Sequence, residues 1–227
     1  MVTFNKIFGI GLSHTATKSL NQGLETLGIP SIHWPIDFTT YRELSSGNYQ
    51  LSILKKYRAI TDITVVPFYK QLDKAHPGSK FILTLRDKQS WLRSMARVNV
   101  LWKRYAHKPL PHKYVMRVVD DWPAYGIKAL KSAAAHTFRS PVIEFYRVTT
   151  YGALCFQGMD ALSDFYDSYH QSVRDYFKDR PEDLLEMYIC DGEGWGKLCS
   201  FLQAPRPEQE FPKIFDRKRF MNIEVSE

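Results

Sequence analysis

Cysteine is scarce in this sequence, with three residues in 227: Cys155, Cys190 and Cys199. The number is odd, and the spacing matches neither a C-x-x-C pair nor a set of metal ligands. Both observations argue against a disulfide framework and a zinc site. We therefore expect buried free thiols in a reducing compartment, which indicates a cytoplasmic protein. No carboxylate-rich metal site is apparent in the sequence either, so we expect no metal.

Long apolar runs are also missing. No stretch approaches the ~20 apolar residues that a helix needs to span a bilayer, so we expect no membrane anchor. The first predicted core strand begins within a few residues of Met1, which leaves no room for a signal peptide. The sequence has no internal repeat and no domain linker, and 227 residues suffice for one α/β domain with a full core. We expect a single domain over residues 1–227.

The charge is unbalanced, with 31 Lys and Arg against 24 Asp and Glu, a net charge of +7. This excess suits an anionic ligand, and equally nucleic acid or an anionic membrane surface. The basic residues are dispersed except for a cluster at Lys213 and 217–219, and no zinc-finger or RNP motif accompanies them. We expect neither nucleic acid nor a membrane as a partner, and the oligomeric state is left open.

The most informative stretch is residues 6–20, KIFGIGLSHTATKSL. The apolar run Ile7–Leu12 predicts a buried central parallel strand. Leucines spaced four and three apart (Leu20, Leu24 and Leu27) predict the helix that follows. Four hydroxyl residues and a lysine, with no acid, lie in the turn and at the start of the helix: Ser13, Thr15, Thr17, Ser19 and Lys18. Such a turn directs backbone N–H groups and the positive helix end at one point, which predicts an anion site, most often for phosphate.

This stretch is not a Walker A loop, G-x-x-x-x-G-K-[ST]. Counted from Gly11, that motif needs glycine at position 16 and lysine at position 17, where this sequence has Ala16 and Thr17. Lys18 comes one position too late to reach the outer phosphates of a nucleoside triphosphate. These mismatches count against a P-loop nucleotide or small-molecule kinase. The kinase stays the alternative interpretation because an acid, Asp62, follows an apolar run.

Strands and helices alternate along the rest of the chain, which predicts a doubly wound parallel sheet with its ligand at the carboxyl ends of the strands. Further strands are expected at Ser31–Trp34, Arg58–Ile63, Lys80–Asp87 and Leu184–Ile189. Further helices are expected in part within 36–57, from Pro67, along the apolar stripe Trp91–Tyr105, over Asp160–Phe177 and around Trp195–Leu202. Residues 107–150, which prolines interrupt, are interpreted as a lid or substrate-pocket segment.

A second polar pair follows the predicted strand that Arg86 ends. Ser94 comes eight residues later, about two turns into the next helix, which Asp87 is placed to cap. An arginine fork and a serine hydroxyl can hold a phosphate separate from the one in the first turn. The alternative is that Arg86 pairs with Asp87 or another neighbour and that Ser94 is an ordinary helix residue.

Residues 11–20, GLSHTATKSL, resemble the 5′-phosphosulfate loop G-L-x-[RK]-T-G-T-x-S-L of bacterial sulfotransferases that use 3′-phosphoadenosine-5′-phosphosulfate (PAPS). Two positions depart from that pattern, since His14 replaces the basic residue and Ala16 replaces the glycine. Arg86 with Ser94 resembles the family's 3′-phosphate site, an arginine after a strand and a serine eight positions on. The segments 78–91 and 179–202 are also similar to the bacterial branch, so that the resemblance spans nearly the whole chain.

The resemblance implies a single-domain, P-loop NTPase-like sulfotransferase fold. It implies transfer of a sulfuryl group from PAPS to a hydroxyl or amine of a small-molecule acceptor, with release of 3′-phosphoadenosine-5′-phosphate (PAP) and without a metal. Arg86 and Ser94 would hold the 3′-phosphate. The 5′ end would be held by the loop residues Ser13, His14, Thr15, Ala16, Thr17, Lys18 and Ser19. Fixed donors of this kind stabilise charge on the leaving phosphate and on the sulfuryl oxygens.

Three residues are expected to act in catalysis, His14, Lys18 and Asp62. His14 occupies the position of the family's basic residue and neutralises the leaving group only when protonated; alternatively it fills the turn, and Lys18 or the helix dipole supplies the charge. The resemblance implies Asp62 as the base that takes the acceptor's proton, with a helix cap and the base His33 as alternatives. If His14 and Ala16 abolish turnover, the chain is a catalytically impaired PAP- or nucleotide-binding protein.

Overall fold

The computed structural model describes the backbone of residues 4–105 and 159–214, and the side chains of 4–97 and 159–214. Its strands are β1 (Ile7–Gly9), β2 (Ser31–His33), β3 (Ala59–Thr61), β4 (Lys80–Thr84) and β5 (Leu184–Met187). Its helices are α1 (Thr17–Thr26), α2 (Phe38–Ser45), α3 (Tyr69–Ala75), α4 (Lys88–Tyr105), α5 (Met159–Phe177) and α6 (Trp195–Leu202). Short 3-10 turns occupy Ser52–Lys55, Val66–Phe68, Pro181–Asp183 and Ile189–Asp191.

The five strands form one sheet in the order β2-β3-β1-β4-β5, and every neighbouring pair is parallel. In the register of the sheet, Phe8 of β1 lies between Ile60 of β3 and Phe81 of β4. The predicted α/β fold with a central parallel sheet is therefore confirmed. The predicted lid segment, residues 107–150, lies outside the described residues.

Helices cover both faces of the sheet because successive side chains of a central strand point to opposite sides. Ile7 belongs to an apolar cluster with α1 and α6, which includes Leu20. Phe8 belongs to a second cluster with α3, α4 and α5, which includes Trp91 and Phe177. All five of these side chains are buried. Burial on both faces explains why the strands are nearly continuous apolar runs.

The strands end earlier than the apolar runs predict, and two of them end at a left-handed residue. Trp34 directly follows β2 with φ 47°, and Asp62 directly follows β3 with φ 79°. A residue with positive φ cannot continue an extended strand, and a positive φ is uncommon for residues other than glycine. The chain therefore turns sharply where His33 and Asp62 are presented.

Gly11 brings the end of the first apolar run against β4. A Cβ at this position would lie 1.8 Å from Thr84 Oγ1, 2.7 Å from the Thr84 carbonyl oxygen and 2.8 Å from its nitrogen. Only glycine permits so close an approach of two backbones. The run Ile10–Leu12 stays buried although β1 itself ends at Gly9.

The predicted cap of α4 is confirmed. Asp87 caps α4, since its Oδ1 accepts a hydrogen bond from the Ser90 N–H at 2.8 Å. Cys199 is buried and Cys190 is half-buried, both as free thiols, whereas Cys155 lies outside the described residues. None of the described helices is long and apolar enough to cross a membrane.

The order of the strands creates a crevice between β1 and β4. The chain leaves β1 through α1 toward β2 on one side of the sheet, whereas β5, the next described strand after β4, lies on the other side. Ligands of open α/β sheets bind where the connections after two neighbouring strands lead to opposite sides of the sheet in this way, outside the carboxyl ends of the strands. The loop after β1 and Arg86 after β4 both lie at this point.

Candidate functional site

The loop between β1 and α1 has the backbone geometry of an anion-binding turn. His14 and Ala16 have positive φ, 70° and 69°, whereas Thr15 between them does not. Alternating handedness of this kind turns successive N–H groups toward one point. The first N–H groups of α1, which begins at Thr17, have no partner within the helix and add the positive end of its dipole.

Two of the four loop hydroxyls hold the loop in place. The Thr15 hydroxyl is buried, donates to the Leu12 carbonyl at 2.6 Å and lies 2.6 Å from Thr84 Oγ1. Ser19 is also buried, and its Oγ accepts from the Ile214 N–H at 3.0 Å. Both hydroxyls thus contact the protein itself, and their role as ligand donors stays a prediction.

The other two hydroxyls, those of Ser13 and Thr17, donate to the carboxylate of Asp62. Ser13 Oγ lies 2.6 Å from Oδ1, and Thr17 Oγ1 lies 3.1 Å from Oδ2. Oδ1 also accepts from the Ile63 N–H at 2.7 Å, and Asp62 is only 6% exposed. The side chain is directed to the loop instead of capping a helix, which places a fixed negative charge beside the predicted anion site.

His33 completes the group around Asp62. Its Nε2 lies 3.3 Å from Asp62 Oδ2, and its Nδ1 lies 3.1 Å from Thr61 Oγ1. The two residues that sequence reasoning treats as alternative bases are therefore in contact. The left-handed φ of Asp62 costs about 1–3 kcal/mol in a residue with a side chain, and such strain persists where surrounding contacts enforce it.

Arg86 and Ser94 meet at His14, from the opposite side of the crevice. Arg86 Nη1 donates to the His14 carbonyl oxygen at 3.1 Å, and Arg86 Nε donates to Ser90 Oγ at 3.1 Å. Ser94 Oγ lies 3.2 Å from His14 Nδ1. The alternative pairing of Arg86 with Asp87 is not among the described hydrogen bonds and ion pairs. The structure therefore brings the loop and the Arg86–Ser94 pair together at His14.

Lys18 lies in the first turn of α1, where its side chain is exposed. This position puts a positive charge close to the loop without burying it. Within residues 4–97 and 159–214, no group of three or more His, Cys, Asp and Glu side chains could hold a metal ion. The chemistry of the described site is thus that of hydroxyls, backbone N–H groups, one carboxylate and several cationic or protonatable side chains.

A family model described as a sulfotransferase domain matches residues 6–220 of this chain. The chain belongs to the sulfotransferase family. Among curated proteins it is similar to the Ava biosynthesis cluster protein M of Aspergillus versicolor, with 27% identity over 230 residues, which cover 92% of this chain and 80% of that protein. Family membership supports sulfuryl transfer as the general chemistry, and it favours this interpretation over the kinase alternative.

Sequence reasoning missed three aromatic residues that support this candidate site. Trp91 Nε1 donates to the Ser13 carbonyl at 3.0 Å. Tyr169 donates its hydroxyl proton to the Ile10 carbonyl at 2.6 Å, and Tyr166 donates to the Arg86 carbonyl at 2.5 Å. In the sequence, these residues indicated only that helices form there. Their role at the site could have been suspected because a buried indole N–H or phenol hydroxyl needs a polar partner.

Tyr166 remains a hydrogen-bond donor under all ordinary conditions. Burial raises its pKa to about 12, an effect that outweighs the opposing hydrogen bond to the Arg86 carbonyl. The phenol therefore stays protonated and holds the backbone of Arg86 from the side of α5. Tyr166 is consequently a positioning residue for the arginine.

Proposed function

We propose that this protein transfers a sulfuryl group from PAPS to a hydroxyl or amine of a small-molecule acceptor and releases PAP. The observation that carries the proposal is the meeting of two candidate phosphate sites, the loop at 13–17 and the Arg86–Ser94 pair, on either side of His14. The donor carries phosphate groups at both its 3′ and 5′ positions and would therefore occupy both candidate sites. The name of the similar protein refers to a biosynthesis cluster, which supports a small-molecule acceptor.

The residues present fit the donor at both of its ends. The left-handed residues of the loop and the start of α1 turn backbone N–H groups toward one point, as a 5′-phosphosulfate requires. Arg86 has five N–H donors, of which the described hydrogen bonds use two, so donors remain for a 3′-phosphate. Ser94 Oγ lies 3.2 Å from His14 Nδ1, and the Arg86 guanidinium donates to the carbonyl of the same residue, so our proposal assigns both side chains to one phosphate.

PAPS supplies the sulfuryl group and a phosphate leaving group. The N–H groups of the loop stabilise the charge that develops on the leaving phosphate, and protonated His14, Lys18 or both add positive charge. Asp62 is our proposed base: its carboxylate takes the proton of the acceptor hydroxyl or amine as that atom bonds to sulfur. Because Asp62 accepts from Ser13 and Thr17 in the described structure, one of these hydroxyls must turn to the donor when the carboxylate turns to the acceptor.

Calorimetric titration with PAP, with ATP and ADP in parallel, tests the cofactor class. Micromolar PAP binding with much weaker ATP binding is the expected result. Absence of PAP binding would refute the proposal, and binding of Mg-ATP in its place would support the kinase alternative.

Turnover separates an enzyme from a PAP-binding protein without catalysis. The measurement is the formation of PAP from PAPS in the presence of a panel of phenols, alcohols and amines. Acceptor-dependent release of PAP is expected. Tight PAP binding without turnover on any acceptor, together with turnover after His14→Arg or Ala16→Gly, would identify the departures in the loop as the cause of lost activity.

A further inference from the structure

A chain of polar contacts runs from α1 and β2 to the carboxylate of Asp62. Ser31 Oγ lies 2.7 Å from Asn21 Oδ1, and Thr61 Oγ1 lies 3.4 Å from the same oxygen. His33 Nδ1 then lies 3.1 Å from Thr61 Oγ1, and His33 Nε2 lies 3.3 Å from Asp62 Oδ2. Each link joins residues on different elements, so that the ring of His33 is fixed at both nitrogens.

The positions of the protons follow from the donors and acceptors in this chain. Asn21 Oδ1 only accepts, so the hydroxyls of Ser31 and Thr61 both donate to it. Thr61 has a single hydroxyl proton, and its oxygen therefore accepts from an N–H at Nδ1 of His33. The Asp62 carboxylate also only accepts, and at 3.3 Å, an ion-pair distance, it favours a proton on Nε2. A proton on each ring nitrogen of His33 suits both of these partners.

We propose that His33 is held as an imidazolium ion paired with Asp62, and that this positive charge lets an anion bind beside the Asp62 carboxylate. Asp62 accepts from Ser13 and Thr17 of the anion loop, so its negative charge, uncompensated, would repel a phosphate there. The side chains of His33 and Asp62 are 17% and 9% exposed, and the pair is therefore weakly screened by solvent. His33 is in this account a positioning residue that acts through Asp62.

The groups that face His33 support a lasting positive charge. Asp62, directly after β3, contributes its carboxylate to the contacts of the ring. The other elements contribute uncharged groups, Thr61 from β3 and, through it, Asn21 from α1 and Ser31 from β2. The Asp62 carboxylate in direct contact with the ring favours the protonated form.

The protonation state is measured directly by nitrogen-15 NMR of the histidine rings at pH 7. His33 should show two protonated ring nitrogens. His76 and His170 provide neutral references in the same spectrum, because burial lowers the pKa of both, that of His170 to about 4. In Asp62→Asn, His33 should become largely neutral at pH 7. A neutral His33 in the wild-type protein overturns the inference. This result is expected if the side-chain amide of Asn21 is turned the other way, with its NH₂ toward Thr61.

The effect on the site is measured with PAP as the probe, and this part rests on the proposed function. His33→Gln should weaken PAP binding about tenfold, the effect of losing one charge-assisted interaction. In the Asp62→Asn background, His33→Gln should change the affinity for PAP little, because no negative charge is left for His33 to compensate. His76→Gln, a remote histidine bonded to the Tyr49 carbonyl, is the matched control and should bind like wild type.

The two proposals fail in different ways. If His33→Gln binds PAP as tightly as wild type, the charge-compensation inference is wrong while the donor assignment stands. If the wild-type protein binds no PAP, the proposed function is wrong, and the NMR measurement still decides the state of His33.

Discussion

Substitution of Gly11 by alanine tests the account of how the loop is positioned, independently of any ligand. The new Cβ would lie 1.8 Å from Thr84 Oγ1 and within 2.7–2.8 Å of two Thr84 backbone atoms. The Thr84 hydroxyl could rotate away from this Cβ only by giving up its contact with Thr15 Oγ1. The backbone atoms could move only if β4 and the end of the first apolar run separated.

The expected cost combines three contributions. Overpacking a tight interior site costs about 1–3 kcal/mol, and the lost contact between Thr84 and Thr15 adds about 1 kcal/mol. The lower entropy of the unfolded chain with alanine offsets about 0.4–1 kcal/mol. The free energy of unfolding should therefore fall by about 1–4 kcal/mol, which lowers Tm by roughly 2–14 °C in a chain of this size.

Thermal unfolding followed by circular dichroism measures this shift. Gly196→Ala is the matched control, because Gly196 lies exposed in α6 and an added Cβ meets nothing within 4 Å. That substitution should raise the free energy of unfolding by about 0.5 kcal/mol through helix propensity. Thr84→Ala in the Gly11→Ala background should restore only part of the loss, since two of the three close contacts involve backbone. A Tm of Gly11→Ala equal to that of wild type would refute the reasoning.

Three further substitutions test the site and the core. Arg86→Ala should weaken PAP binding by roughly 1.5–3 kcal/mol by removing charge-assisted hydrogen bonds, while the exposed Arg42→Ala should not; calorimetry that finds equal affinities for both would contradict the 3′-phosphate assignment. His14→Arg should preserve or raise the turnover of PAPS near pH 7, with an advantage that grows with pH because arginine keeps its charge; a collapse of turnover would show that the imidazole itself is needed. His170 is buried, and its lowered pKa of about 4 means that the unfolded chain binds a proton at higher pH than the folded chain. Stability should therefore fall as the pH falls from about 6.5 to 4, by up to about 3 kcal/mol from this group. Chemical denaturation of His170→Phe should show a smaller loss over the same range, and an identical loss would refute the assignment.

Much of the fold was predictable because its signals are local. The apolar runs, the helix stripe from Trp91 and the cap at Asp87 depend on residues close together in the chain, and each appears in the structure near the expected position. The ends of the strands were less predictable. They depend on left-handed residues such as Asp62, whose conformation is enforced by partners distant in sequence.

The candidate site was predictable as a list of residues but not as an arrangement. Sequence reasoning named Asp62 and His33 as competing bases, whereas the structure joins them in one pair. It named Arg86 and Ser94 without their partner His14. The supporting hydroxyl of Tyr166 left no sign in the sequence beyond its aromatic character.

The sequence by itself determined which elements form, the turn chemistry of the loop after β1 and the two polar clusters expected to bind phosphate, because periodicity and turn preference act over a few residues. Only the tertiary structure decided which of these residues meet. Ser13 and Asp62 are 49 residues apart in the chain, and His14 and Arg86 are 72 apart. They come together because the sheet places β1 between β3 and β4, an order that follows from the packing of the whole chain and not from any local pattern.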